Sequence, residues 1–481
     1  MAQAAKLTDL LDSEKTRQEL IDAGLSEKAA VEKAVLLRQS AEALLNKGTD
    51  KQTEAYGFFV PGRIEVLGKH TDYAGGRSLI ATAEKGFCVV AVAREDSTVR
   101  IIAAAQQELF EFDITPDLIP EMGHWSNYPV TVARRIARNF PGRLRGCDVA
   151  FVSDLPTAAG MSSSSAMMVS FFLVLAQINQ LEKHDAYLAN IDSQESLAGY
   201  LGTVENGQNF GSLTGDKGVG TFGGSEDHTA ILCCQADRLR QYSYCPVRFK
   251  RSIRVPNEYV FAIASSGVVA EKTGAALEKY NRVSQLAAAV TETWRRATGQ
   301  NNSHIASITG HSPGNVDRLR EILQQHNGSD FTARELLDRF EHFYAESEEI
   351  IPAASEALAQ ENMAEFGRQV DRSQELADSL LGNQVPETIF LAQSARQLGA
   401  VAASGFGAGF GGSVWALIKT EGAEEFLEKW ERQYNKKLSQ YEDSTEGKAK
   451  SHPAKKHAGF FLTRPGPAAV EIKYIAQKRE E

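Results

Sequence analysis

The spacing of hydrophobic positions changes twice along the chain. Over residues 1–48, leucines and isoleucines recur at helical spacing among charged residues, and Gly48 follows the second helical stretch. This pattern predicts a helical extension. From Tyr56 onward the apolar residues form short runs of strand composition separated by glycine turns, at residues 89–93, 99–103 and 148–153.

Helical spacing dominates again in the second half of the chain. One apolar helix is predicted earlier, at residues 166–181, directly after a strand and a Gly/Ser turn. Beyond about residue 260 the pattern predicts helices at 273–298, 333–360, 363–380 and 389–398, and strands at 414–419, 460–462 and 468–474. Residues 436–457 are charged and poor in apolar side chains, which favours a loop.

This order of elements predicts an α+β fold with two lobes. The N-terminal lobe would carry a mixed sheet and the C-terminal lobe helices plus a sheet. The expected domains are a helical extension at 1–50, a first lobe at 51–258 and a second lobe at 259–481.

Composition narrows the classes of protein that fit. The chain has 62 acidic and 52 basic residues, which argues against nonspecific nucleic-acid binding. The five cysteines are odd in number and match no zinc pattern, so reduced thiols in a cytoplasmic protein are expected. The first twenty residues lack the apolar core of a signal peptide, and the longest apolar run is too short to span a bilayer.

The strongest chemical signal is a Gly/Ser segment between a strand and an apolar helix. It reads P-T-A-A-G-M-S-S-S-S-A and contains Pro156, Gly160, Met161, Ser162, Ser163, Ser164 and Ser165. Small residues before a helix N-terminus make an anion site, and hydroxyls there can coordinate Mg²⁺ bound to a phosphate. A helix N-cap needs only one serine, so the segment favours phosphate binding. The chain has no Walker A loop, so any nucleotide would bind by another fold.

A second glycine-rich segment, G-F-G-A-G-F-G-G-S, covers residues 405–413. It contains G-x-G-x-x-G formally, but a strand follows where a dinucleotide-binding fold needs a helix. A tight hairpin turn and a turn close to a ligand are equally consistent with this segment.

A third segment concentrates polar groups between glycines. Residues 61–76 read P-G-R-I-E-V-L-G-K-H-T-D-Y-A-G-G and hold Arg63, Glu65, Lys69, His70 and Asp72. A charged run is usually a solvated surface. The flanking glycines favour a rigid backbone instead, and polar groups held in place are what sugar hydroxyls require. A looser stretch, residues 218–228, places Asp227 after a Gly turn, where it could accept a proton or cap the next helix.

Together these segments resemble the GHMP kinases (galacto-, homoserine, mevalonate and phosphomevalonate kinases), and galactokinases most closely. Three motifs in the family's order, over about residues 55–475, carry the resemblance. It implies an ATP- and Mg²⁺-dependent kinase that phosphorylates the anomeric hydroxyl of a sugar. The active site would lie between the two lobes, and the partners would be small molecules.

The resemblance also implies a role for each matching residue. Asp227 and Arg63 would act at the reacting hydroxyl, and Ser164 and Glu205 would hold Mg²⁺. Residues 160–165, with Pro156 before them, would hold the phosphates. The sugar contacts would be Lys69, His70, Asp72, Tyr73, Gly224, Tyr280 and Gly409. An apparent insertion of about a dozen residues between Asn206 and Gly220 makes Asp227 the less direct match.

Two departures from the galactokinase pattern concern the identity of the sugar. Galactokinases have an asparagine at the position of Glu65 and an acid at the position of Lys69, where the acid is expected to contact the C6 hydroxyl. A lysine there could pair with a C6 carboxylate, so a uronic acid such as galacturonate is an alternative to galactose. Lys69 could instead pair with a nearby acid. A non-catalytic sugar sensor and another GHMP branch are the remaining hypotheses.

Overall fold

Two β-sheets organise the chain, whose computed structural model describes residues 5–156, 159–268, 274–312, 314–443 and 459–473. The first sheet has eight described strands in the order β12-β1-β2-β5-β3-β4, with β6 joined to β2 and β7 joined to β6. Its strands are β1 Ala55–Leu67, β2 Arg77–Ala93, β3 Thr98–Ala103, β4 Glu108–Asp113, β5 Cys147–Ser153, β6 Arg238–Ser243, β7 Arg248–Arg254 and β12 Val470–Ile472. Among the strands described, only β3 and β5 pair in parallel, so the sheet is mixed, as predicted.

The second sheet is smaller and antiparallel, in the order β11-β8-β10-β9. Its strands are β8 Tyr259–Ser265, β9 Ala402–Phe406, β10 Ser413–Lys419 and β11 Phe460–Thr463. The predicted boundary at residue 258 falls between β7 and β8. The last strand, β12, nevertheless lies in the first sheet, against β1.

Helices cover both sheets. In the first half they are α1 Ser13–Asp22, α2 Glu27–Leu45, α3 Asn127–Asn139, α4 Ser163–Asn179, α5 Asp185–Leu188, α6 Gln194–Asn206 and α7 Glu226–Cys233. In the second half they are α8 Gly274–Thr298, α9 Ile305–Thr309, α10 Gly314–Gln324, α11 Ala333–Tyr344, α12 Ile351–Ala359, α13 Met363–Leu376, α14 Pro386–Gln397 and α15 Ala423–Asp443. Short π-helical turns at Ala345–Ile350 and Ala377–Leu381 follow α11 and α13. None of the helices described is long and apolar enough to cross a membrane.

The central strand β2 shows why the first sheet is buried on both faces. Successive strand residues point to opposite faces. Val89 and Ala91 accordingly pack into the core that contains α4, while Cys88 and Val90 pack against the N-terminal helices. Near-continuous burial along β2 therefore follows from its position between two helical layers.

The N-terminal segment contains two capped helices, α1 and α2. The side chain of Asp12 accepts hydrogen bonds from the first turn of α1, and the Ser26 hydroxyl accepts one from the Ala29 N–H in α2. Leu37, Ala41 and other buried residues of α2 cover the outer face of the first sheet. The extension is thus part of the fold of the first lobe.

One prediction of a loop was wrong in part. Residues 436–443 continue α15, and residues 444–458 lie outside the described residues. Trp430 and Tyr434 are buried on the face of α15 that packs on the second sheet. One buried face is enough to hold an otherwise charged segment as a helix. All five cysteines are free thiols.

Candidate active site

A cavity of about 700 Å³ brings the predicted segments together. Its wall combines β1, the loop after β1, the N-terminus of α4, the segment before α7 and the turn after β9. The predicted site residues in the wall are Arg63, His70, Asp72, Tyr73, Gly160, Ser162, Ser163, Ser164, Glu205, Gly224, Asp227 and Tyr280. The other predicted residues, all within the described chain, lie outside the wall: Pro156, Met161, Ser165, Lys69 and Gly409.

Arg63 and Asp227 form a direct ion pair at one end of the cavity. Arg63 lies on β1 and Asp227 in the first turn of α7. The guanidinium donates from Nε to Oδ1 of Asp227 at 2.7 Å, and Nη2 lies 2.6 Å from the same oxygen. Burial opposes the charge of Arg63, but the neighbouring carboxylates, Asp227 foremost, outweigh burial and raise the pKa of the guanidinium. The pair therefore presents a carboxylate beside a permanent cation.

Two further carboxyl groups, Glu65 and Glu226, flank the same guanidinium. Their oxygens lie 3.6 and 3.5 Å from Arg63 nitrogens. Burial raises the pKa of Glu65 to about 7, although Arg63 opposes this shift. Burial also raises the pKa of Glu226 well above its usual range. Sequence reasoning had assigned neither residue a role, although Glu65 was noted as a departure from the family pattern.

Asp72 is held by the backbone of two segments. Its Oδ1 accepts from the N–H of Tyr73 at 2.8 Å, and its Oδ2 accepts from the N–H of Glu226 at 3.1 Å. Burial raises the pKa of Asp72, and these two hydrogen bonds oppose the shift. A Cβ at Gly224 would lie 2.3 Å from Oδ2 of Asp72, so only glycine fits there. The loop that holds Asp72 and the Gly224 turn, each predicted to contact the sugar, are therefore in direct contact.

His70, Tyr73 and Tyr280 form a polar wall beside Asp72. Nδ1 of His70 lies 3.0 Å from the Tyr73 hydroxyl, and Nε2 lies 3.0 Å from the backbone oxygen of Ala408. The rings of His70 and Tyr280 are 5.3 Å apart, centre to centre. Tyr280 lies on α8 and Ala408 between β9 and β10, so this wall is built from both lobes.

The Gly/Ser segment leads into α4 at the edge of the cavity. Ser162, the N-cap residue, has a left-handed backbone (φ 59°), and α4 begins at Ser163. The Ser162 hydroxyl is buried and makes no hydrogen bond within the described part of the chain. With Ser163 and Ser164 also in the wall, the free N–H groups of the first helical turn lie at the cavity. The N-terminus of α4 is thus an available anion site.

The second glycine segment supports the first. It forms the tight turn between β9 and β10, so the hairpin interpretation is correct. A Cβ at Gly407 would lie 2.8 Å from the backbone oxygen of Gly160, and the Ser413 hydroxyl donates to the Ala159 oxygen at 2.6 Å. Gly409 instead packs on Asn383, which argues against the predicted contact of Gly409 with a sugar. The turn therefore acts mainly by holding the Gly/Ser segment in place.

Two residues of the Gly/Ser segment are structural in this arrangement. The backbone oxygen of Met161 accepts from the N–H of Arg63 at 3.1 Å, which ties the segment to β1. Pro156 precedes the undescribed residues 157–158 and lies outside the cavity wall. Neither side chain is placed to contact a ligand directly.

Glu205 lies at the centre of a hydroxyl network next to the Arg63–Asp227 pair. The Ser165 hydroxyl lies 3.0 Å from Oε2 of Glu205 and 3.3 Å from Oδ2 of Asp227. Thr221 donates to Oε1 of Glu205 at 3.2 Å. Ser165, rather than Ser164, is thus the serine that contacts Glu205, while Ser164 faces the cavity. Thr221 was not predicted.

The donor set fits a metal that is shared with a phosphate. Within the described residues no group of three or more His, Cys, Asp or Glu side chains could hold an ion alone. Mg²⁺ is commonly bound through one or two carboxylates, waters and substrate phosphates. Glu205 is a buried carboxylate beside the serines at the helix N-terminus, which matches that pattern.

Lys69 does not face the cavity. Its Nζ donates to the hydroxyls of Ser404 at 2.8 Å and Ser373 at 3.1 Å, and its side chain is almost fully buried. Glu346 accepts from the Ser373 hydroxyl at 3.0 Å and from the N–H of Gly68 at 2.8 Å. Lys69 thus joins the first loop to α13 and β9, so the prediction that it contacts a sugar is corrected by this geometry.

Sequence reasoning missed the aromatic residues of the cavity. The wall also includes four aromatic residues, Phe87, Trp125, Tyr128 and Phe151. Nε1 of Trp125 donates to Oε1 of Glu108 at 3.0 Å, which holds the indole ring. The only sequence signal was the clustered H-W-x-x-Y string at residues 124–128. This string is too short to separate a binding surface from core aromatics.

Family models match three parts of the chain. The GHMP kinases N terminal domain matches residues 127–209 and GHMP kinases C terminal matches residues 354–436. The galactokinase galactose-binding signature matches residues 47–94. These segments contain β1 and its loop, the Gly/Ser segment and the turn after β9.

Relatives and solved structures agree with these matches. The galactokinase of Actinobacillus pleuropneumoniae serotype 3 is 26% identical over 386 residues, covering 78% of this chain and 90% of that protein. The galactokinase of Chloroflexus aggregans is 28% identical over 376 residues, covering 76% of this chain and 85% of that protein. Lactococcus lactis galactokinase complexed with galactose has the same fold, with a TM-score of 0.70, 21% identity and coverage of 89% and 99%. Methanococcus jannaschii mevalonate kinase is more distant, with a TM-score of 0.51, 12% identity and coverage of 85% and 97%.

The fold and the matched domains define the class: the chain belongs to the GHMP kinase superfamily. Within that superfamily it is galactokinase-like, because the galactose-binding signature and the curated relatives point to that branch.

Proposed function

We propose that this protein is an ATP-dependent kinase that phosphorylates the anomeric (C1) hydroxyl of galactose or a close relative. The observation that carries the proposal is the Arg63–Asp227 pair, which shares one cavity with an anion site at a helix N-terminus. Phosphoryl transfer needs mainly positioning and neutralisation of charge, and this arrangement supplies both. The galactokinase-like family membership supports galactose as the parent substrate.

In the proposed reaction Asp227 takes the proton of the C1 hydroxyl. The C1 oxygen forms a bond to the γ-phosphorus of ATP, the bond from that phosphorus to its bridging oxygen breaks, and ADP leaves. Arg63, at 2.6–2.7 Å from Asp227, orients the carboxylate and places positive charge where the transition state gains negative charge. A general base of this kind contributes about 10²–10⁴-fold in rate.

The nucleotide would occupy the remainder of the cavity. The N–H groups at the start of α4 and the hydroxyls of Ser162 to Ser164 would bind its phosphates. Trp125 and Tyr128, which also line the cavity, offer apolar faces for its base. Glu205, with Ser164 or Ser165, would hold Mg²⁺, which neutralises phosphate charge when bound. A cytoplasmic location is also part of the proposal.

The sugar would be bound by five residues of the cavity wall: Asp72, His70, Tyr73, Gly224 and Tyr280. Asp72 is positioned by two backbone N–H groups, so its carboxylate can accept from sugar hydroxyls without rearranging. The uronic-acid alternative loses its basis, because Lys69 contacts Ser373 and Ser404 instead of the cavity.

A coupled assay that follows ADP release with a panel of sugars tests the proposal. Release is expected only when a galactose-type sugar with a free C1 hydroxyl is present. Binding of sugar and ATP without ADP release would indicate a sensor built on the same fold and would refute the proposed activity.

A further inference from the structure

The sugar end of the cavity carries more carboxyl groups than the proposed reaction uses. Asp227 is paired with Arg63, and Asp72 is held by two backbone N–H groups. Glu65 and Glu226 remain, and both line the cavity with side chains more than nine-tenths buried. Arg63 is the only Lys or Arg among the described lining residues.

Each of these two carboxyl groups has an oxygen with no hydrogen-bond partner. Oε1 of Glu65 and Oε1 of Glu226 are buried and make no hydrogen bond within the described part of the chain. The Arg63 guanidinium lies beside both groups but already bonds Asp227 with two nitrogens, and Lys69 is a further cation near Glu65. A buried carboxylate without partners is costly, so the site is built for a ligand that completes it.

The location of the two groups indicates which part of a sugar they would meet. Both flank Arg63, which under the proposed function stands at the reacting C1 hydroxyl. The ring neighbours of C1 are the ring oxygen and C2. The first substituent beyond the reacting hydroxyl is therefore the group on C2.

We propose that the preferred substrate is an amino sugar whose C2 ammonium group lies between Glu65 and Glu226. This inference rests on the proposed function and names its substrate class. An ammonium group supplies three donors and one positive charge, and it completes both carboxylates at once. A neutral sugar would leave both carboxyl groups without a cation from the substrate, and a uronic acid would add a further negative charge to the cavity.

The test compares four sugars by kcat/KM at a pH where the amine is protonated: galactosamine, galactose, N-acetylgalactosamine and galacturonate. N-acetylgalactosamine keeps the nitrogen on C2 but removes its charge, so it is the matched control ligand. The expected result is a kcat/KM at least about tenfold higher for galactosamine than for the other three, because a charge-assisted contact in a buried site is worth at least one factor of ten.

Variants test the residues named. Glu65→Gln and Glu226→Gln should each lower the ratio of kcat/KM for galactosamine to kcat/KM for galactose by about tenfold. The change should come mainly from a higher KM for the amino sugar. Glu424→Gln, an exposed substitution on α15, should leave the ratio unchanged. If a variant does not fold, the ratio of kcat/KM for galactosamine to that for galactose in the wild type is a sufficient test of the inference. If kcat/KM for galactose equals that for galactosamine, the amino-sugar inference is wrong but the proposed kinase activity stands. If none of the four sugars is phosphorylated, the proposed function itself is wrong.

Discussion

Nη2 of Arg63 and Oδ1 of Asp227 lie 2.6 Å apart, although the two residues are 164 positions apart in sequence. The contact joins β1 to the first turn of α7 and sits in the wall of the main cavity. It places a carboxylate and a permanent cation where one hydroxyl can contact both. The proposed catalysis depends on this pair.

Asp227→Asn should lower turnover by about 10²–10⁴-fold, because the amide cannot accept the proton of the attacking hydroxyl. Nucleotide affinity should change little, since the phosphates would bind at α4. Steady-state turnover and nucleotide titration of the same preparation check both statements.

The chain offers a matched control for this variant. Asp371 forms a similar two-bond pair with Arg396 at 2.8–2.9 Å, outside the main cavity. Asp371→Asn should preserve turnover at a temperature where it stays folded. Near-normal turnover of Asp227→Asn would show that another group is the base.

Glu205→Gln should raise the Mg²⁺ concentration for half-maximal activity by on the order of 10–100-fold, because it removes a buried oxygen ligand and its charge. Glu195→Gln, on the first turn of the same helix, serves as the control. Magnesium titrations at saturating ATP measure the effect. Curves that superimpose on the wild type would remove Glu205 from the metal site.

Ser164→Ala and Ser165→Ala separate two roles within the same segment. Ser164 faces the cavity, so its loss should raise the Mg²⁺ requirement as Glu205→Gln does. Ser165 lies between Glu205 and Asp227, so its loss should chiefly lower turnover at saturating Mg²⁺. Equal magnesium curves for Ser164→Ala and wild type would move the hydroxyl ligand to Ser165.

Glu65→Gln should change how stability depends on pH. Burial raises the pKa of Glu65 from an ordinary value near 4.5 to about 7. A raised carboxyl pKa contributes stability that is full below about pH 4.5 and is lost as the pH rises through about 7. The Tm of the variant relative to wild type should therefore increase between pH 5 and pH 8.

Thermal unfolding in the absence of ligands at several pH values measures this difference. The exposed substitution Glu424→Gln should give a Tm difference that does not vary with pH. A constant difference for Glu65→Gln, or one that falls as pH rises, would show that the carboxyl is ionised in the folded protein throughout this range.

Lys69→Glu should destabilise the protein without improving its use of galactose. The substitution removes a buried cation that contacts Ser373 and Ser404, and it adds a carboxylate near buried Glu346. A loss of about 3–5 kcal/mol is expected, as for a broken buried pair. Lys69→Met, which removes only the charge, should cost less.

Denaturant unfolding of both variants, with Lys429→Glu as an exposed control, gives these free energies. A stable Lys69→Glu variant with improved kcat/KM for galactose would instead return Lys69 to the sugar site.

The fold could be predicted from local patterns, whereas the joint role of Arg63 and Asp227 was implied by the family resemblance. Strand and helix periods, and the Gly/Ser turn before α4, depend on neighbouring residues that the sequence shows directly. The motif order then linked Arg63 to Asp227 across an insertion. In the structure, Nε of Arg63 donates a hydrogen bond to Oδ1 of Asp227 at 2.7 Å.

The direction of side chains within the first loop could not be predicted. Glu65 and Lys69 are four residues apart, yet Glu65 lines the cavity and Lys69 contacts α13 and β9. Which residue faces the ligand depends on Ser373 and Ser404, more than 300 positions away. The aromatic residues of the cavity wall could not be predicted for a related reason. Phe87, Trp125 and Phe151 come from separate elements and share no sequence motif.

The most direct test of the central claim is the identity of the phosphorylated product. The protein would be incubated with ATP, Mg²⁺ and either galactose or galactosamine, and the product examined by ³¹P and ¹H NMR. The account predicts a phosphate ester whose phosphorus couples to the anomeric proton, formed in step with ADP. Phosphate on any other hydroxyl, or intact ATP with both sugars although the protein binds them, would contradict it.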